Sequence, residues 1–244
     1  EKICREEIMA ENPIERRRFL VGAGTAVAAG LAADRPAPAE AQDKPAVAAS
    51  VPAPEPPLVL TATETDFIAA AVDTIIPADE LSPSGSECGI VTFIDRQLAS
   101  AWGGGAKMYR AGPFVKGKPE QGYQLSLTPL EFFQVGIAAA NAWSVKTNGK
   151  TFDRLSPAER VTALKTMEEG KADFRSLPSR AFFSQLLALT MQGFFADPVY
   201  GGNRNKASWA MLGFPGLPAT YADKIDEYRD KRYTAPPQSI ADFS

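Results

Sequence analysis

Histidine is missing from all 244 residues. That removes the side chain most used as a general base, together with the Ser/His/Asp and Cys/His arrangements of nucleophilic catalysis. It also removes the usual axial ligand of haem and the commonest zinc ligand. Cysteine is nearly as scarce: Cys4 and Cys88 are the only two, too few for a Cys4 metal site or for iron–sulfur ligation of the usual kind. Basic runs interleaved with aromatics do not occur, and the formal net charge is −3, which argues against a nucleic-acid-binding surface. There is no G-x-G-x-x-G after a strand and no G-x-x-x-x-G-K-[ST]. The glycines of "WGGGAK" lack the flanking strand and helix that phosphate binding needs. The acids Asp79, Glu80 and Glu87 lack the spacing of a calcium loop. Asp73, Asp95 and Glu131 read as solvated or capping carboxylates on helices. Nothing in this inventory supports a catalytic site.

What is present begins with an address. Arg16, Arg17, Arg18, Phe19 and Leu20 match the twin-arginine export pattern, with Arg16, Arg17, Phe19 and Leu20 as its defining residues. The weakly apolar run "VGAGTAVAAGLAA" behind them is about 13 residues long, short of the ~20 a membrane-spanning helix requires. Ala39-Glu40-Ala41 then supplies a small-residue cleavage site. Residues 1–41 are therefore expected to be a twin-arginine signal peptide and the mature chain to be periplasmic. Residues 42–57, rich in proline and alanine, are expected to form an extended tether. Cleavage would leave Cys88 as the sole cysteine in an oxidising compartment. An isolated cysteine is as readily a buried, inert thiol, but its polar, glycine-rich surroundings, "SPSGSECGI", tilt the expectation towards an exposed thiol available for an intersubunit disulfide.

From Leu58 onward the pattern is helical. Thr61 and Glu64 have capping-box spacing, and Phe67, Ala71 and Ile75 share one face before Pro77. Val91, Ile94, Leu98 and Trp102 form a second apolar stripe. Thr128, Pro129 and Glu131 open a third helix that ends at Asn148-Gly149; Ser156, Pro157 and Glu159 open a fourth that ends at Gly170. Phe182, Leu186, Leu189 and Phe194 mark a fifth. No run of period two competes with these. The expected fold is all-α: an irregular domain of about five to six helices over 58–231, with long loops and an extended C-terminal arm at 232–244. The 106–124 segment is too long and irregular for a simple connection. Like the arm, it has no evident local means of burying its aromatics.

The stretch "DPVYGGNRNKASWAMLGFPG", Asp197 to Gly216, crowds aromatics among glycines and prolines. Gly201-Gly202 would permit a tight turn with positive φ, Asp197 or Asn203 would hold it, and Trp209 and Phe214 would close over it. This stretch resembles the signature of the gluconate 2-dehydrogenase subunit 3 family, the small subunits of periplasmic flavoprotein sugar dehydrogenases. "IIPADELSPSGSECGIVTFIDRQL", Ile75 to Leu98, is similar to the family's other recurrent block.

The resemblance implies a complex. Its partners would be an FAD-containing large dehydrogenase subunit and a membrane-associated c-type cytochrome carrying haem c, reached through the twin-arginine translocase. This chain would be a non-catalytic escort and stabiliser with no cofactor of its own. Interface candidates are Tyr200, Gly201, Gly202, Asn203, Arg204, Trp209 and Phe214, with Tyr109 and Phe114 in the long loop and Tyr233 and Phe243 in the arm. For Trp209 and Phe214 an internal mini-core is an equally open reading, whereas Tyr200 and Arg204 are favoured as partner contacts. The alternatives for the whole chain are a periplasmic carbohydrate-binding domain and an enzyme working with carboxylates alone.

Overall fold

The computed structural model describes residues 56–243, apart from 107, 116, 119, 120, 218 and 219. The expected export signal and most of the expected tether lie outside the described residues. Six α-helices follow one another: α1 (Ala62–Ile75), α2 (Ile90–Ala99), α3 (Pro129–Asn148), α4 (Pro157–Glu168), α5 (Ser179–Phe195) and the short α6 (Ala207–Leu212). Among the described residues there is no strand, only an isolated bridge between Gly216 and Gln238. The domain is all-α, and none of its described helices is long and apolar enough to cross a membrane.

The helix starts follow from local chemistry. Thr61, Thr128 and Ser156 each accept the N–H of the glutamate three residues on, and that glutamate accepts the cap's N–H in return. Two orphan donors are satisfied at each start. Hydrogen bonds from Thr128 hold the Glu131 carboxyl below its usual range, and those from Ser156 do the same for Glu159. At the far end of α3, Gly149 takes the left-handed conformation, φ 72°, that closes a helix without a Cβ penalty.

The core is aromatic and centred on Phe182. Its ring lies 5.9 Å from Phe133, 6.0 Å from Phe67 and 6.0 Å from Phe174, in the tilted and edge-on arrangements that aromatic quadrupoles favour. This ring explains a glycine in mid-helix. A Cβ at Gly136 would stand 2.2 Å from Phe182, so α3 and α5 can approach only where α3 has no side chain.

Two sequence expectations are corrected here. The second apolar stripe does not reach Trp102, because α2 stops at Ala99. Ser100 then turns the chain, its hydroxyl donating to Gln97 O at 2.6 Å, and Trp102 is left partly exposed. Asp95 is not a solvated carboxylate. It is 3% exposed and accepts three successive backbone N–H groups, from Leu58 at 2.6 Å and from Val59 and Leu60 at 3.1 Å each. An extended segment running into a helix start has several unpaired donors, and one buried carboxylate on α2 gathers them. The clasp fixes where the chain enters the domain.

Asp95→Asn keeps the shape but turns one acceptor into a donor facing another donor. It should cost about 2–3 kcal/mol, read as a lower midpoint in urea unfolding, with faster exchange of the Leu58–Leu60 amides. The exposed Asp66→Asn should change neither.

Candidate functional site

The two sequence blocks that stand out, 75–98 and 197–216, meet in the structure. Helix α5 ends at Phe195, and Asp197 starts a 3-10 turn, Pro198–Tyr200, by accepting Val199 N–H at 3.0 Å. Gly201 follows with φ 99°, as the tight turn requires. Gly202 has a different reason to be glycine: a Cβ there would lie 2.1 Å from Gly193 O on α5. On the other side, a Cβ at Gly89 would lie 2.4 Å from Gly201 O, and Arg204 N–H donates to Cys88 O at 2.9 Å. The loop therefore sits backbone upon backbone between α5 and the Gly85–Gly89 turn.

Asn203 holds the interior of the loop. It is fully buried in a left-handed conformation, φ 44°. Its side-chain N–H₂ donates to Ala196 O at 2.9 Å, and its Oδ1 accepts from Ser208 N at 2.9 Å and Ser208 Oγ at 2.8 Å. Asn205 and Lys206 are also left-handed, so three residues here occupy a region that side chains rarely adopt. Trp209 is buried, its Nε1 donating to Phe195 O at 3.0 Å, and Phe214 meets its ring edge-on at 5.2 Å.

The C-terminal arm docks on this loop instead of standing free. Gln238 N–H donates to Pro215 O and Leu217 N–H to Gln238 O, both at 2.9 Å; a Cβ at Gly216 would strike both Gln238 O and the Trp209 ring. Ile240 N–H donates to Asp197 Oδ2 at 2.9 Å, so one carboxylate ties the 3-10 turn to the arm. Lys206 Nζ completes the join, 3.1 Å from Pro237 O and 2.5 Å from Asp242 Oδ2.

These positions sort the candidate residues. Gly202, Asn203 and Trp209 are internal and do not form a surface; the mini-core reading holds for them. Gly201 and Arg204 are half-buried at the seam. Tyr200, Phe214 and Phe243 are exposed, and Val199, Leu212 and Ile240 are exposed with them. The 3-10 turns Pro198–Tyr200 and Ile240–Phe243 pack together, so the exposed Val199 and Tyr200 and the exposed Ile240 and Phe243 are carried by neighbouring turns. Tyr109 and Phe114 are exposed on the long loop, whose far end is anchored by Tyr123 stacking on Phe132 at 4.2 Å. Tyr233 is half-buried, and the rings that pack edge-on against it, Tyr221 and Tyr228, come from outside the arm.

The expected exposure of Cys88 is also corrected: it is 1% exposed. Its loop is drawn onto α1, where Asp73 accepts Ser86 N–H at 2.7 Å and Ser86 Oγ–H at 2.9 Å, and where a Cβ at Gly85 would strike Val72 O. Burial, then the Glu87 charge, pushes the thiol pKa up, away from the reactive thiolate. A disulfide to a partner would require this turn to open.

Two measurements check the seam and the arm. Gly202→Ala should destabilise the domain by about 3 kcal/mol or more through backbone overlap, whereas Gly104→Ala, with no atom closer than 3.6 Å, should stay within about 1 kcal/mol. The Lys206 hydrogen bond, then that from Ser239 N–H, holds the Asp242 carboxyl below its ordinary value. A depressed folded pKa stabilises the docked arm above the unfolded value, near 3.9, and this is lost as pH falls through the folded value. Amide exchange at Ser239–Asp242 should therefore show protection unchanged from pH 7 to about pH 5 and falling below about pH 4. Asp242→Asn should abolish that dependence.

A sequence model of the family described as Gluconate 2-dehydrogenase subunit 3 matches residues 62–216. The match starts at the first residue of α1 and ends at the glycine under Trp209, so it contains both blocks of the seam and excludes the arm. No curated protein and no solved structure matches the chain. With a match spanning α1 to the Trp209 closure, the chain belongs to the gluconate 2-dehydrogenase subunit 3 family.

Proposed function

We propose that the chain is the non-catalytic small subunit of a membrane-associated, FAD-dependent sugar or aldonate dehydrogenase complex. In this reading it binds the flavoprotein large subunit as that subunit folds. The pair leaves the cytoplasm through the twin-arginine translocase, directed by Arg16 and Arg17, and works in the periplasm. FAD belongs to the large subunit and haem c to a c-type cytochrome subunit that anchors the complex to the membrane and takes the electrons.

The observation that carries the reading is the set of exposed apolar side chains on the family loop and on the arm docked against it. Val199, Tyr200, Phe214, Ile240 and Phe243 stand outward from a backbone whose polar groups are tied down beneath them. Tyrosine and phenylalanine presented on a rigid base lose little side-chain entropy on docking, and that makes good anchors. Tyr109 and Phe114 on the long loop would extend the contact. An obligate interface of this kind buries on the order of 2,000 Å² or more.

Co-expression with the flavoprotein tests both halves. With Arg16 and Arg17 changed to Lys, flavoprotein and dehydrogenase activity should both stay in the cytoplasm; an active flavoprotein in the periplasm would end the escort reading. With Tyr200→Ser and Phe243→Ser together, this chain should keep its helix content while its recovery with the flavoprotein falls at least about tenfold. Undiminished recovery would place the interface elsewhere.

A further inference from the structure

Two arginines stand next to the exposed apolar side chains of the family loop. Arg204 opens the 3-10 turn Arg204–Lys206, which packs against the turn Pro198–Tyr200. Its backbone is fixed, because its N–H is bonded to Cys88 O at 2.9 Å and the flanking Asn203 and Asn205 are both left-handed. Its Nη2 lies 3.6 Å from where a Cβ on Gly89 would stand, beside the contact between Gly89 and Gly201. Gly201 directly follows the exposed Tyr200. Arg232 has its Nη2 3.8 Å from where a Cβ on Gly213 would stand, and Gly213 separates the exposed Leu212 and Phe214.

Neither side chain makes an ion pair or a hydrogen bond with a described residue. The carboxylates around Arg204 are turned elsewhere. Asp73 accepts from Ser86 N–H and Oγ–H, Glu87 from Ser84 N–H at 2.9 Å, and Asp197 from the N–H groups of Val199 and Ile240. Near Arg232, Asp226 is paired with Arg229 and Glu227 with Lys224.

The consequence concerns directed donors, not net charge. A guanidinium carries five N–H donors in a planar fork. Those of Arg204 find no acceptor in the chain although the residue is half-buried, and its nitrogens stay open to solvent. A protein that covers Tyr200 takes water away from this guanidinium as well. Donors stripped of water without a replacement acceptor cost free energy, and a charged group costs the most. The chain has no free carboxylate at hand, so the acceptor has to come with the partner.

We propose that the protein covering these apolar side chains brings a carboxylate to Arg204 and an acidic group to Arg232, so that its docking surface is apolar with acids set into it. This rests on the reading that the loop and the arm hold the flavoprotein, and it states the chemistry of the surface that meets them. The two arginines act differently. Half-buried Arg204, paired on docking, holds the complex together, while exposed Arg232 steers the approach.

Association and dissociation rates of the full chain on immobilised flavoprotein, measured over a range of salt concentration, test this. Arg204→Gln should weaken binding about tenfold, mainly through faster dissociation, and Arg204→Lys should recover only part of the loss because it restores the charge without the fork. Arg232→Gln should slow association at low salt and flatten its salt dependence, with dissociation little changed. Neither guanidinium is bonded within the chain, so the urea midpoint should stay that of the unaltered protein. Lys146→Gln, exposed near the end of α3, should alter neither rate. Failure of the unaltered chain to bind the flavoprotein would overturn the escort reading and this inference together. Binding that is indifferent to both arginine replacements would overturn this inference alone. So would uptake of the chain by phosphatidylglycerol vesicles through the same arginines, with flavoprotein binding unaffected, which would assign them to an anionic lipid surface.

Discussion

The structure depends on places where the chain has no side chain to offer. Gly202 lets the family loop lie directly on α5, Gly193 lets α5 lie against Phe93 and Ile90 of α2, Gly89 lets the Cys88 turn lie on Gly201, and Gly85 lets that turn lie on α1. Any Cβ at Gly85, Gly89 or Gly202 would overlap a backbone atom, which cannot move aside as a side chain can. These contacts bring two sequence blocks more than a hundred residues apart into one unit. Asn203, Asp197 and Trp209 can then make their hydrogen bonds, because their partners are already within reach. The left-handed run at Asn203, Asn205 and Lys206 is tolerable for the same reason: the surroundings over-determine it.

The carboxylates in this architecture turn towards the backbone. Asp95 gathers the entering segment, Asp73 gathers Ser86, Asp197 joins the loop to the arm, and Glu64, Glu131 and Glu159 close helix starts. A charge that accepts several N–H bonds is held in place by them. What remains outward over the seam is apolar. A rigid polar lattice beneath exposed aromatics is suited to holding another protein, and this is the physical content of the proposed role.

Much of the fold was legible because its signals are local. Capping boxes at Thr61, Thr128 and Ser156, the glycine after Asn148 and the apolar stripe through Phe182 and Leu186 each act within a few residues, so spacing reveals them. The seam was half legible: the glycines and the tight turn at Gly201 could be read, but Gly202 owes its identity to the Gly193 backbone and Gly193 owes its own to the Phe93 ring on α2. The Asp95 clasp, the docking of the arm through Gln238 and Asp242, and the burial of Cys88 were not legible. Each depends on a partner 20 or more residues away or on a loop being drawn onto a helix, and a polar, glycine-rich string looks the same whether exposed or pressed flat. The partial cover of Tyr233 was not legible for a related reason, since its ring partners Tyr221 and Tyr228 lie outside the arm.

The central claim is that the family loop and the arm together present one docking face for a flavoprotein. Hydrogen exchange of this subunit, alone and mixed with the proposed FAD-containing partner, tests it most directly. The account predicts new protection concentrated at residues 198–200, 212–214 and 240–243, with the already buried Asn203 and Trp209 little changed. Protection elsewhere, with those three segments exchanging as they do in the free subunit, would contradict it.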